Sequence, residues 1–233
     1  MLQDASCDTG IGWLPHPLSA RGDILMVAPL NDPYLLLLCY RYGVFPWYES
    51  NDLGVYFYPE KRYVLQPSKV KIAKSMRPYL NKKKFTLTID QSFDEVIQQC
   101  KDIPRGKDNE SWISDRFVNL YTQLHHMGYA HSFEARDEGG KLVGGLYGLG
   151  VGRVFHGESM FSLESNASKF CFISLCKMLE ANNFDMIDCQ VENDYLRTFG
   201  GESISRKVFY HKLRQNLLKE SMIGNWNELL QKI

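Results

Sequence analysis

No run of apolar residues in this 233-residue sequence reaches the roughly 18 to 20 that a membrane-spanning helix needs. Residues 1–6 carry neither the basic flank nor the long apolar stretch of a signal peptide, so none is expected. Charge of one sign is not in excess: 27 Lys and Arg balance 27 Asp and Glu. A histone-like nucleic-acid binder is thereby excluded, because counterion release needs many clustered cations, whereas a local basic patch is not. Cysteine is scarce, and the six, at 7, 39, 100, 171, 176 and 189, form no C-x-x-C pair. Most sit in apolar segments, so they are expected to be reduced core residues of a cytoplasmic protein and not a disulfide framework. No H-E-x-x-H occurs, so no metal site is expected, and without a G-x-S-x-G elbow an α/β-hydrolase is unsupported. Repeats and low-complexity linkers are lacking too, which argues against solenoid, collagen-like and disordered chains.

What is present is ordinary globular material, 44% hydrophobic and 23% charged, long enough for a real core in one or two domains. Asp32 caps a predicted helix over residues 34–42, with Pro33 in its first position and Gly43 at its end. An aromatic extended stretch follows at 44–48, then a strand at 55–58 closed by Pro59. A helix over 68–77 carries Lys69, Lys71, Lys74 and Arg77, and Lys82, Lys83 and Lys84 follow. Taken alone, this basic stretch reads more readily as a solvated face than as a binding patch.

From Phe85 the pattern alternates. A strand at 85–89 precedes a capping box, Ser92-Phe93-Asp94-Glu95, that opens a helix to Cys100. Ser114 caps a second helix with Phe117, Leu120, Tyr121 and Leu124 on one face and Gly128 at its end. A hairpin turns around Glu138-Gly139-Gly140, a third strand runs over 153–158, Asn166 caps a long helix to Asn182, and 184–190 reads as a buried strand. This order suits an α+β fold: a small N-terminal domain (1–64) and a mixed-sheet domain of the N-acetyltransferase (GNAT) type (65–233), with the boundary near residues 63–66.

Single candidates for chemistry are weak. The glycines at 148, 150 and 152 lead into a strand, where a phosphate loop would lead into a helix, so they read as a close-packed hairpin. His125 and His126 read as structural, while His131 and His156 stay open. Asp188 and Gln190 share one face of an apolar strand, with Cys189, a buried thiol, on the other. Glu158 has the same character, and such groups need partners or a purpose. Trp47 and Trp112 sit in turn contexts and serve either as stacking platforms for a base or as lids on the core.

Taken together, several segments resemble the leucyl/phenylalanyl-tRNA–protein transferase family in order and spacing. They are Tyr40-Arg41-Tyr42-Gly43-Val44-Phe45-Pro46-Trp47, Ser111-Trp112-Ile113-Ser114, Leu142-Val143-Gly144-Gly145-Leu146-Tyr147-Gly148, Gly157-Glu158-Ser159-Met160-Phe161-Ser162, Asn166-Ala167-Ser168-Lys169 and Ile187-Asp188-Cys189-Gln190. The match runs from about Ile24 to His211. The family's tryptophan pair before an arginine is here Tyr56-Phe57-Tyr58-Pro59-Glu60-Lys61-Arg62.

The resemblance implies transfer of Leu, Phe or Met from aminoacyl-tRNA to proteins beginning with Arg or Lys, tagging them for N-end rule degradation. It implies a cytoplasmic monomer with no cofactor, because the ester donor is already activated. It implies catalytic roles for Asp188, Gln190 and Glu158: Gln190 orients the amine, Asp188 holds it, and Glu158 helps to place the cationic acceptor. Leu146, Met160, Leu175 and Ile187 would line the side-chain pocket, and Trp47 and Trp112 would flank the 3′ adenosine. Arg77, with Lys71, Lys74, Lys82, Lys83 and Lys84, would meet acceptor-stem phosphates. The rivals are an acetyl-CoA-dependent N-acetyltransferase and an inactive tRNA- or peptide-binding module.

Overall fold

The structure is a computed structural model that describes residues 14–81, 84–104 and 111–232, with 231 and 232 described by backbone alone. Cys7, Lys82, Lys83, Glu110 and residues 1–6 lie outside the described residues. The chain opens with β1 (Ile24–Pro29), α1 (Pro33–Arg41), β2 (Phe45–Ser50), β3 (Leu53–Phe57) and β4 (Lys61–Leu65). Then come α2 (Arg77–Asn81), β5 (Thr86–Ile89), α3 (Phe93–Asp102), α4 (Asp115–His126), β6 (Ala130–Arg136), β7 (Leu142–Val151) and β8 (Val154–Ser162). The chain ends with α5 (Ala167–Ala181), β9 (Met186–Asp188), α6 (Asp194–Arg197), β10 (Glu202–Ser205) and α7 (Arg206–Asn216). Among the described residues no helix is long and apolar enough to cross a membrane.

The class is α+β, as expected. Strands β1, β3 and β2 form a small antiparallel sheet in that order. The larger sheet has seven strands, in the order β10-β4-β9-β8-β7-β6-β5. Only β8 and β9 in it are parallel. The expected division after residue 64 falls inside β4, which pairs with both β9 and β10 in the larger sheet.

Alternation along the strands separates two cores. Tyr147 and Leu149 of β7 pack with α1, α3, α4 and the small sheet, whereas Leu146 packs with α5 on the other face. Each fully buried Leu or Phe in these layers contributes about 1.5–3 kcal/mol. The glycine-rich stretch of β7 is a close-packed hairpin: a Cβ on Gly148 would lie 2.2 Å from the His156 carbonyl oxygen.

Local chemistry explains several element boundaries. Asp32 Oδ1 accepts the Tyr34 N–H at 2.8 Å, Pro33 fills the first helical position, and Gly43, at φ +74°, ends α1. Ser114 Oγ caps α4 by accepting the Phe117 N–H.

Three expectations need correction. The capping box at Ser92 does not form. The Ser92 hydroxyl accepts from Arg136 Nη2 at 2.6 Å, and its N–H donates to Glu134 Oε1 at 2.9 Å, so long-range partners replace the local ones. Asn166 does precede α5, but in the left-handed region and without a capping bond; Ser162 Oγ accepts the Ser168 N–H instead. The basic stretch is not one helix. It consists of two 3₁₀ turns, Pro67–Lys69 and Lys74–Met76, and the short α2. Lys71 donates its N–H to the Phe199 carbonyl at 2.9 Å, which removes it from any helical ladder, and Pro78 supplies no N–H.

Candidate active site

Beside the parallel pair, where β8 and β9 meet α5, the chain encloses a cavity of about 480 Å³. Its walls are apolar: Leu146 from β7, Phe155 and Met160 from β8, Phe172 and Leu175 from α5, and Ile187 from β9. Phe45, Trp47 and Trp112 line another part of it. The polar groups in the lining include Glu158, Ser159, Gln190, Asn193 and Tyr195. Trp47 is held edge-on to Phe57 at 4.8 Å, and Trp112 edge-on to Phe117 at 5.2 Å.

Glu158 is surrounded by neutral donors. Tyr40 of α1 donates to its Oε1 at 2.7 Å, Tyr121 of α4 to its Oε2 at 2.8 Å, and Gln190 Nε2 to Oε1 at 2.7 Å. The two tyrosine oxygens lie 2.6 Å apart. Burial pushes the Glu158 carboxyl up to about 8; the three donors resist this and the nearby charge of Asp188 adds to it. Among the described residues no cation lies against it, so this carboxyl titrates close to neutrality.

Asp188 has a guanidinium against it instead. Its carboxylate receives Arg62 Nε at 2.7 Å and Nη2 at 2.5 Å, together with His156 Nδ1 at 2.8 Å. Burial alone would raise its pKa, but Arg62 and His156 hold it well below the usual carboxylate range. The guanidinium in turn lies over the rings of Phe45 and Phe209, at 4.6 and 4.4 Å. Pairing of β4 with β9 and the parallel register His156↔Asp188 bring the three side chains together. Asp188 is fully buried and is not part of the cavity lining.

Residues 64–214 match the leucyl/phenylalanyl-tRNA protein transferase family. The leucyl/phenylalanyl-tRNA–protein transferase of Syntrophus aciditrophicus (strain SB) is 42% identical over 91% of this chain and 89% of that protein. The one of Legionella pneumophila (strain Corby) is 41% identical over 91% of this chain and 95% of its own length. The chain belongs to the leucyl/phenylalanyl-tRNA–protein transferase family. It is an aminoacyltransferase, and its family joins aminoacyl-tRNA to protein acceptors. Likeness to solved structures is remote. L-PGS from Bacillus licheniformis is 10% identical with a TM-score of 0.38, over 82% of this chain and 62% of that one. A SpeG spermidine N-acetyltransferase mutant from Vibrio cholerae is 15% identical with a TM-score of 0.25, over 43% and 60%.

The cavity of this transferase-family chain gathers eight of the ten residues singled out in its sequence: Trp47, Trp112, Leu146, Glu158, Met160, Leu175, Ile187 and Gln190. Asp188 stands behind the wall. Its Oδ1 accepts the backbone N–H of Gln190 at 3.0 Å, so it braces the residue that lines the cavity. Arg77 is exposed at the start of α2, outside the lining, as are Lys71 and Lys74. Lys84 pairs with Glu164 at 3.5 Å.

Strand alternation misjudges residues 188–190. β9 stops at Asp188, and Gln190 turns into the left-handed region at φ +62°. Asp188 and Gln190 therefore do not share a face. Cys189, expected to point away, lines the cavity, and burial pushes its thiol well above the ordinary range, so it is no nucleophile. Arg62, His156, Tyr40, Tyr121 and Phe172 were not singled out for the site. Tyr121 belongs to an apolar helix face and Tyr40 to a motif segment, but nothing local announces that their hydroxyls meet a carboxyl.

Proposed function

We propose that this protein transfers Leu, Phe or Met from aminoacyl-tRNA to the α-amine of proteins beginning with Arg or Lys, as a cytoplasmic monomer marking them for N-end rule degradation. One observation carries the reading: a carboxyl and an amide, Glu158 and Gln190, bonded to each other in the wall of an otherwise apolar cavity. The aminoacyl side chain enters among Leu146, Met160, Leu175 and Ile187. An apolar slot distinguishes side chains by only about 1–3 kcal/mol per methylene, so it accepts Leu, Phe and Met and disfavours β-branched Ile and Val by shape. Phe172 adds to the same wall. Trp47 and Trp112 offer ring faces to the 3′ adenosine.

The donor ester is already activated, so positioning does most of the work, worth on the order of 7–11 kcal/mol. Gln190 orients the incoming amine. Asp188, tied to Arg62 and His156, fixes the backbone of Gln190 and acts as a positioning residue. Arg77, Lys71 and Lys74 meet the phosphates of the acceptor stem, so binding weakens as salt rises and depends little on tRNA sequence. The test is to incubate the protein with labelled Leu-tRNA and a peptide beginning with Arg. Label on the peptide supports the reading. Its absence, with a thermal shift on adding acetyl-CoA, would replace it with an N-acetyltransferase.

A further inference from the structure

The oxygens of Glu158, Tyr40 and Tyr121 close a ring of three contacts, 2.7, 2.6 and 2.8 Å long. Each phenol carries one proton, and an ionised carboxylate carries none. Two protons cannot fill three contacts, so an ionised Glu158 leaves one oxygen pair facing without hydrogen. A neutral Glu158 supplies the third: its carboxyl O–H donates to Tyr121, Tyr121 to Tyr40, and Tyr40 to the other carboxyl oxygen. A tyrosine pair as close as 2.6 Å fits the closed, three-proton ring. Of the three, Glu158 lines the cavity and the two tyrosines do not.

Building on the transfer reaction proposed above, we infer that this ring is the proton carrier of that reaction, with Glu158 as the group that exchanges the proton and Tyr40 and Tyr121 as positioning residues. The amine nitrogen attacks the ester carbonyl carbon and the C–N bond forms. The nitrogen releases one proton to Glu158 in its ionised, open-ring form, which closes the ring. As the C–O bond to the ribose breaks, the ring returns that proton to the leaving 3′ oxygen. An amide and a free hydroxyl result, and the ring is open again.

The surroundings suit a carrier that titrates near neutrality. Facing Glu158 are Tyr40 from α1, Tyr121 from α4, Asp188 from β9 and Gln190 beyond it. Tyr147 of β7 stands edge-on to Tyr121 at 5.4 Å. Asp188 is itself paired with Arg62 and hydrogen-bonded to His156. Burial sets the carboxyl near 8, within reach of an amine of ordinary pKa, about 8.

Carboxyl-¹³C NMR of the full chain tests the ring, with the Glu158 signal assigned by its loss in Glu158→Gln. In the unsubstituted protein its midpoint is expected well above the usual glutamate value of about 4.3; an ordinary midpoint overturns the ring. Removing one hydroxyl, in Tyr40→Phe or Tyr121→Phe, deletes a donor and the unfilled contact together, so neither single variant raises the midpoint. The double variant, which loses both donors, raises it by roughly 0.7 pH unit. Two independent donors would instead raise it in each single variant and sum in the double, which would sink the ring.

The kcat–pH profile for peptide acylation should move with these midpoints, and Glu158→Gln should lose about 100-fold or more in kcat. Full transfer by Glu158→Gln overturns the carrier role while leaving the transfer reaction standing. No transfer by the unsubstituted protein defeats the proposed reaction, and with it the carrier role, but leaves the ring titration to be judged by NMR.

Discussion

Glu158 and Asp188 are two acidic side chains on neighbouring parallel strands, both deep in the protein, and their pKa values are shifted in opposite directions. Asp188 has a guanidinium and an imidazole against its oxygens and stays ionised. Glu158 has two phenols and an amide, and its carboxyl is pushed up to about 8. Burial penalises both charges, and only the partners differ. A carboxylate held by cations is a fixture, whereas one held by neutral donors is poised to exchange a proton, and only the second faces the cavity. On the reading proposed above, Asp188 braces the site and Glu158 carries the proton.

The harshest way to break the comparison is Asp188→Ala. Arg62 would be left buried without its partner, at a cost of about 3–5 kcal/mol, measurable by denaturant unfolding at neutral pH. A rate assay on that variant alone would confuse lost structure with lost chemistry. The pH dependence has a definite sign. The folded pKa of Asp188 lies below its unfolded value, so its contribution is complete above about pH 4 and is lost as pH falls toward the folded value. Stability of Asp188→Ala that equals the parent's at neutral pH would remove the brace from the account.

A smaller loss is expected for His156→Phe. One hydrogen bond to a charged group disappears, worth about 1.5–3 kcal/mol, while Arg62 keeps Asp188 ionised. The ring volume is largely conserved, so the cavity wall at Phe155 and Gly157 should hold.

Glu158→Gln should act in the opposite sense. Glu158 has a raised folded pKa, so the native protein binds more protons than the unfolded chain from about pH 4.3 to about 8, and its stability falls across that window. Replacing the acid by an amide removes that decline. The variant's thermal midpoint should therefore overtake the parent's as pH rises toward 8. A parallel pH dependence for the two proteins would mean that Glu158 ionises normally.

Much of the fold is legible in the sequence wherever one residue acts on its neighbours. Asp32, Pro33 and Gly43 delimit α1, and the glycine hairpin and the helix face through Phe117 and Tyr121 follow from spacing. What escapes is long-range. Ser92 is claimed by Glu134 and Arg136, more than forty positions away, and Lys71 by Phe199. The site divides the same way. Motif order leads to the lining residues, but Arg62 and His156 become partners of Asp188 only through strand register. The left-handed turn at Gln190, a conformation that non-glycine residues seldom adopt, defeats the alternation that placed Cys189 out of view.

Gln190 links the two acids, and altering it gives the mildest and sharpest test. Its backbone N–H belongs to Asp188 and its side-chain amide to Glu158. Gln190→Asn shortens the side chain by one methylene while suiting the φ of +62°, since Asn is tolerated in the left-handed region. The backbone bond to Asp188 persists, so unfolding free energy should change by under about 0.5 kcal/mol. The bond to Glu158 Oε1 no longer reaches. The ionised carboxylate loses a donor, and the Glu158 titration midpoint should rise by about half a pH unit. If both acids respond, with stability falling several kcal/mol, the two environments are one coupled network. If only the Glu158 midpoint moves, the brace and the proton site are separable, and Gln190 is the hinge between them.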